Sequence, residues 1–247
     1  MTLGEFFAAR PKAALAFSGG VDSAFLLWAA KEYGCRVHAY YVHSAFQPAF
    51  ELEDARRLAG ALGVPMTVVE ADILSVPQVA ENPADRCYHC KRALFTLLWR
   101  RAGADGHTLL LDGTNASDDG GDRPGMRALS ELKVVSPLRE CGLTKAEIRR
   151  RSREAGLFTW DKPAYACLAT RVPTGTPITG ADLARVEEGE NALFALGFTD
   201  FRVRLHHGAA RIQLPQAQLG EALAHREAIL TALSPLFDGV FLDLEVR

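Results

Sequence analysis

The chain has 247 residues, 48% of them hydrophobic and 23% charged, enough for a sizeable core in one large domain or two modest ones. Its formal charge of −2 gives no basic face for nucleic acid, and no apolar run reaches the ~18 to 20 residues that span a bilayer. The opening MTLGEFFAARPKAALAFSGG lacks a secretion-signal pattern, so the cytoplasm is the default location; five cysteines, an odd number, read as thiols and not as a disulfide framework.

In chain order, β-like runs at 13–17, 36–43, 66–71 and 108–112 alternate with helical patterns at 23–33, 50–62 and 86–102. This predicts an α/β fold with a doubly wound parallel sheet over 1–158, ligands binding beyond the carboxyl ends of its strands. Ser18 to Ser23, His43-Ser44 and Gly113-Thr114-Asn115 fall at such ends. A helix over 144–155 opens on Thr144 with Glu147 three residues on, a capping box. Its run Arg149-Arg150-Arg151-Ser152-Arg153 reads as a solvated or oligomer-facing surface in preference to an anion site.

From 159 the texture changes to TWDKPAYACLATRVPTGTPIT, rich in Pro, Thr and Gly, the mark of a functional loop or domain junction. A helix at 180–196, strands at 201–206 and 209–214, a helix at 216–234 and a strand at 239–246 follow. They predict a smaller α+β C-terminal domain, with the junction loop included in 159–247.

The hexapeptide SGGVDS, Ser18 to Ser23, lies between the first strand and the first helix of this pattern. Such a turn offers unpaired N–H groups and the positive end of the helix dipole to an anion. Gly19 and Gly20 allow close approach, and Ser18 and Ser23 add hydroxyls. The lysine of a Walker loop is missing, and Asp22 brings negative charge to the pocket. A divalent cation, Mg2+, bridging Asp22 and the phosphates resolves that conflict.

Cys87 and Cys90 form a C-x-x-C at a helix start, where i and i+3 share a face, and Cys167 lies in the junction loop. The helix dipole with Arg86, Lys91 and Arg171 favours thiolates. Three cysteines with an open fourth position suit a 4Fe-4S cluster; structural zinc with His89, a redox C-x-x-C and unrelated thiols stay open. Cys35 and Cys141, next to Gly34 and Gly142, read as bystanders.

SGGVDS resembles the signature of the PP-loop ATP pyrophosphatases, which split ATP between the α and β phosphates and adenylate their substrate; GTNASD, Gly113 to Asp118, is similar to a second element of that superfamily. NPADRCYHCK at 82–91, DGTNASDDGGDRPGMRAL at 112–129, SPLRECGLTKAEIR at 136–149, the junction segment, VEEGENAL at 186–193 and GFTDFRVRLH at 197–206 resemble, in order, the LarE family. Its members are ATP-dependent sulfur transferases that help make the nickel-pincer nucleotide cofactor of lactate racemase.

The resemblance implies a PP-loop (adenine nucleotide alpha hydrolase-like) domain followed by a substrate and oligomerisation domain. It implies ATP-driven adenylation of pyridinium-3,5-biscarboxylic acid mononucleotide and replacement of carboxylate oxygen by sulfur. Sulfur comes either through a 4Fe-4S cluster on Cys87, Cys90 and Cys167 or from Cys167 itself, leaving dehydroalanine; the presence of Cys87 and Cys90 favours the cluster. A sulfide or other sulfur donor and a homohexamer are further implications. Ser18, Gly19, Gly20, Asp22, Ser23, Gly113 and Thr114 then hold ATP, with His43, Ser44 and Met66 as adenosine wall. Arg171, Arg202 and Arg204 are candidates for the substrate's phosphate and carboxylates, Arg171 also for catalysis. Glu190 joins Asp22 as a candidate Mg2+ ligand, Asp118, Asp119 and Asp122 are acids or turn formers, and Trp160 lines the site or packs the junction. Competing readings are a PP-loop tRNA thiolase, disfavoured by the charge, a synthetase, and a nucleotide sensor with a structural metal.

Overall fold

A computed structural model describes residues 1–118 and 124–247. The chain divides into two compact units, one of residues 1–79 and 85–162, the other of residues 80–84 and 163–247.

The first unit begins with α1 (Leu3–Ala8), whose Thr2 and Glu5 form a reciprocal capping box. β1 (Lys12–Ala16), α2 (Val21–Glu32), β2 (Arg36–His43), α3 (Ala49–Leu62) and β3 (Met66–Glu70) follow, then α4 (Pro77–Ala80), α5 (Arg86–Ala104) and β4 (Leu110–Leu111). The unit ends with α6 (Pro124–Glu131), α7 (Pro137–Glu140) and α8 (Lys145–Glu154). The sheet is all parallel in the order β3-β2-β1-β4. Alternate residues of the strands feed two cores. Ala13, Leu15, Val37, Ala39 and Tyr41 pack on one face with α2, α3 and α8, while Ala14, Tyr40 and Leu110 pack on the other with Leu98 and Ala102 of α5. That is the doubly wound arrangement the alternation predicts. The order reverses direction at β1, so the carboxyl end of β1 opens between β2 and β4, where ligands bind in such sheets.

α8 keeps half of the expected capping box: the Thr144 hydroxyl accepts from the Glu147 N–H, while the Glu147 carboxylate pairs with Arg151. The arginine run is satisfied within the unit. Arg150 pairs with Glu154, and Arg149 donates to the carbonyls of Trp160 and Lys162.

In the second unit, α9 (Gly180–Ala195), β5 (Arg202–His206), β6 (Ala209–Gln213), α10 (Leu219–Ala224), α11 (Arg226–Leu233) and β7 (Val240–Leu242) form a three-stranded sheet with flanking helices. β6 pairs antiparallel with β5 and parallel with β7. The helix predicted over 216–234 is divided by a turn at His225, which ends α10 and starts α11. Asn82, at φ 58°, is buried and donates from Nδ2 to the carbonyls of Pro173 and Thr176 at 2.8 and 3.0 Å. These bonds fasten 80–84 to the loop that follows Cys167. No helix among the described residues is long and apolar enough to cross a membrane.

Candidate active site

At the carboxyl end of β1 the chain turns through Gly19, at φ 72°, where a Cβ would meet Ala55 Cβ at 3.2 Å and the Glu51 carbonyl at 3.3 Å. Only glycine relieves both constraints. Gly20 caps α2 with no side-chain hydrogen bond, so the first-turn N–H groups of α2 face outward without a protein cap. Hydroxyls hold the loop's shape: Ser23 Oγ lies 3.1 Å from Ser18 Oγ and donates to the Gly20 carbonyl at 3.2 Å. A cavity of about 250 Å³ opens here, lined by Ser18, Gly20, Asp22, Ser23, Gly113, Thr114 and Asp118 among others.

The second wall is Gly113 to Asp118. A Cβ on Gly113 would stand 3.0 Å from Ser23 N and 3.2 Å from Ser23 Cα, so the absence of a side chain lets the β4 end meet the start of α2. Asp112, buried, accepts from Thr114 at 2.5 Å and from Ser136 at 2.6 Å. Asp118 accepts from the Asn115 N–H, which makes it a turn former, yet its charge also reaches Asp22. Asp119 and Asp122 lie outside the described residues.

Asp22 has two different oxygens. Oδ2 accepts from Lys145 Nζ at 2.6 Å, while Oδ1 is buried and has no hydrogen-bond partner among the described residues. Burial pushes its pKa up, Lys145 opposes the shift, and Asp118 adds to it. An orphaned, desolvated carboxylate oxygen beside a phosphate-type loop fits a divalent cation. Lys145 was missed in the sequence. The available signal was its place as the first residue of α8, where a cation opposes the helix dipole and therefore needs another partner.

Next to the loop lies an apolar slot of about 150 Å³ lined by Phe17, Tyr41, Val42, Gln47, Phe95 and Leu98, among others. Val42 at the end of β2 lines the slot, whereas His43 pairs with Glu70 at 2.8 Å and Ser44 bonds to Gln47. Met66 opens β3 opposite Ala39, level with Leu15 near the carboxyl end of β1, and packs against the core.

Cys87 and Cys90 occupy the first turns of α5, Cys87 exposed and Cys90 half-buried, with Arg86 Nη2 4.0 Å from Cys87 Sγ. Cys167, half-buried, belongs to the second unit. No disulfide joins cysteines among the described residues. Within neither unit do the described residues gather three His, Cys, Asp or Glu side chains into a metal site. Burial raises the thiol pKa values of Cys35 and Cys141.

Cys167 caps a short 3-10 turn, Leu168–Arg171, and its carbonyl accepts from the Thr170 N–H and hydroxyl. Arg171, fully buried, clamps this loop. Nη1 donates to the Ala166 carbonyl at 2.8 Å, while Nε and Nη2 grip both oxygens of Glu190 at 2.8 and 3.1 Å. Glu190 also accepts from the Val203 N–H and the Tyr165 hydroxyl. Both oxygens of Glu190 accept from protein donors, and Arg171 is fully buried with its guanidinium on Glu190 and the loop carbonyls.

Arg202 and Arg204 share a face of β5, as their spacing predicts. Arg202 is buried and tied to the Phe201 and Ala164 carbonyls at 2.5 and 2.6 Å; burial, with Arg171 and Arg247 nearby, pushes its pKa down to about 10. Arg204 is half-buried, donates to the Thr170 carbonyl at 2.7 Å, and is lowered by burial and by Arg171, Arg211 and Arg247. The Glu190 charge opposes both shifts. Trp160 stacks under Arg153 in the first unit.

A family model described as queuosine biosynthesis protein QueC matches residues 12–82, the stretch from β1 through α4. The chain is 35% identical over 233 residues to the pyridinium-3,5-bisthiocarboxylic acid mononucleotide synthase of Lactiplantibacillus plantarum, covering 93% of this chain and 84% of that protein. It is 38% identical over 220 residues to an uncharacterized protein of Synechocystis sp., covering 88% and 81%. An uncharacterized protein of Methanocaldococcus jannaschii is 27% identical over 236 residues, covering 95% and 90%.

Proposed function

The chain belongs to the LarE family of PP-loop sulfur transferases, and we propose that it uses ATP to convert pyridinium-3,5-biscarboxylic acid mononucleotide into the bisthiocarboxylic acid precursor of the nickel-pincer cofactor. The observation that carries this reading is the match to a named synthase along 93% of the chain, which takes in both the phosphate loop and the Cys167 loop.

A carboxylate is a poor electrophile until one oxygen belongs to a good leaving group. The uncapped start of α2 and the hydroxyls of Ser18 and Ser23 suit the phosphates, and the Tyr41–Val42–Gln47 slot suits the adenosine. Mg2+ would be held by Asp22 through Oδ1, where it would neutralise phosphate charge. A substrate carboxylate oxygen attacks the α-phosphorus and pyrophosphate leaves. Sulfur then attacks the carbonyl carbon and AMP departs with the original oxygen. Two rounds give the bisthiocarboxylate.

Arg204 and Arg202 set the positive field for an anionic substrate, and Arg171 with Glu190 fixes the loop that presents Cys167. A 4Fe-4S cluster on Cys87, Cys90 and Cys167 would supply sulfide as the sulfur donor, replenished by an external source. The exposure of Cys87 and the partial exposure of Cys90 suit such ligation. A second reading is favoured by the clamp that Arg171 and Thr170 place on the Cys167 loop. There Cys167 Sγ attacks the acyl-adenylate, the Cα proton is removed, and the Cβ–Sγ bond breaks to leave dehydroalanine. A cytoplasmic homohexamer is part of the proposal.

Replacing Asp22 with alanine tests the loop. Substrate-dependent pyrophosphate release from ATP is expected to fall by roughly a hundredfold or more, the scale of losing a preorganised electrostatic group. Unchanged release would place the chemistry elsewhere.

A further inference from the structure

We propose that the first unit carries a second anion site, at the amino ends of β1 and β2, that takes the phosphoryl group of a small molecule. A cavity of about 430 Å³ opens there, at the end of the sheet away from the Ser18 to Ser23 loop. Lys12, Lys31, Arg36, His38 and His107 line it, with no aspartate or glutamate among the described lining residues. The simpler account of the lysines is helix capping. Lys12 Nζ donates to the Gly106 carbonyl just past the end of α5 at 2.7 Å, and Lys31 Nζ to the Leu62 carbonyl that ends α3. Capping uses one N–H of each ammonium and leaves two. It explains neither Arg36 nor His107. Arg36, the exposed first residue of β2, makes no ion pair or side-chain hydrogen bond among the described residues. His107 is only 8% exposed, yet its Nδ1 meets no hydrogen-bond partner among the described residues.

A buried ring nitrogen without a partner is costly unless a ligand supplies one. His38 brings a second ring: its Nε2 lies 2.9 Å from Thr67 Oγ1, its face stacks on Tyr40, and its centroid is 5.9 Å from that of His107. Burial lowers both imidazole pKa values; Arg101 adds to this at His38, Lys12 and His38 add to it at His107, and Asp105 opposes it at both. The Asp105 carboxylate is already taken by the Tyr40 hydroxyl at 2.9 Å and Arg101 Nε at 3.0 Å, so it is not the anion these bases suit. Both rings are therefore mainly neutral near pH 7, and a doubly charged group beside them would draw protons onto them. Two ammoniums, a guanidinium fork and two imidazoles offer more donors than the two oxygens of a carboxylate can use, and the three oxygens of a phosphoryl group match them better.

The test is a titration of the whole protein, with its seven histidines labelled with nitrogen-15, against inorganic phosphate, pyrophosphate and AMP. Ionic strength is held constant with chloride, ring signals are read by NMR over about pH 5 to 8, and His38→Gln and His107→Gln assign them. The three ligands share the phosphoryl group, and the tightest binder tells whether a free anion or a nucleotide ester is preferred. Binding is expected to raise the pKa of both rings by roughly one pH unit or more, as an opposite charge at contact does, so affinity grows as the pH falls. Arg36→Gln, which removes an exposed side chain without partners, is expected to weaken binding by roughly tenfold or more, the scale of a charge-assisted hydrogen bond, with the unfolding midpoint unchanged. Asp22→Ala, which alters the phosphate loop, is expected to leave the histidine response intact, so this site stands or falls separately from the ATP reading. Rings indifferent to all three ligands, a response undiminished in Arg36→Gln, or one abolished by Asp22→Ala would overturn the site.

Discussion

The Arg171–Glu190 pair shows how much of a single residue's surroundings a sequence leaves out. Arginine four residues past a cysteine, in a chain otherwise short of net positive charge, looks like an anion ligand. Burial adds what the sequence leaves out: a guanidinium with no solvent exposure is held by an equally buried carboxylate. Removing one partner leaves the other charge desolvated. Glu190→Gln is therefore expected to cost roughly 3 to 5 kcal/mol in denaturant unfolding, and Glu190→Asp, which keeps the charge but shortens the reach, is expected to cost less. A glutamine variant as stable as the unaltered protein would refute the clamp. Tyr165 reports on the same cluster, since burial and the Glu190 charge push its phenol pKa upward. Such commitments were illegible in sequence because they depend on which polar groups share one buried space, and Glu190, Tyr165 and Val203 are spread over almost forty residues.

Elements were far easier to read than their junctions. Arg36–His43 has the predicted bounds because alternating and continuous apolar runs mark a strand buried on both faces. β4 is shorter than predicted, two residues against five, since only Leu110 and Leu111 belong to the ladder. The short helices α4, α6 and α7 carry too few turns to show a period. The close approach of β4's end to α2 also left only one trace, Gly113. Gly113→Ala would place a methyl 3.0 Å from Ser23 N, against backbone that must shift. Substrate-dependent pyrophosphate release should fall roughly tenfold to a hundredfold, as expected for displaced reacting groups, with the thermal midpoint little changed. Full activity in this variant would show that the wall can move without consequence.

At the scale of the whole molecule, the sequence revealed a phosphate loop, three cysteines and paired arginines, and the fold assigns them to two units with separate supports. The strap 80–84, fastened through Asn82, joins the second unit although its neighbours in sequence belong to the first. Nothing in the composition of NPADR marks that exchange, because it rests on a side-chain amide meeting carbonyls some ninety residues away. Lys145 is the same kind of omission: its motif was visible as a helix start, but not its meeting with Asp22. The central claim is that ATP cleavage serves the exchange of carboxylate oxygen for sulfur. The most direct measurement is an anaerobic reaction of the full chain with ATP, Mg2+ and pyridinium-3,5-biscarboxylic acid mononucleotide, in which pyrophosphate, AMP and product mass are followed together with the intact mass of the protein. One pyrophosphate and one AMP should form for each oxygen replaced by sulfur, with the protein mass intact if the sulfur is delivered to it, or reduced by one hydrogen sulfide at Cys167 if that residue is the donor. Pyrophosphate release that leaves the substrate free of sulfur, or sulfur incorporation without ATP, would contradict it.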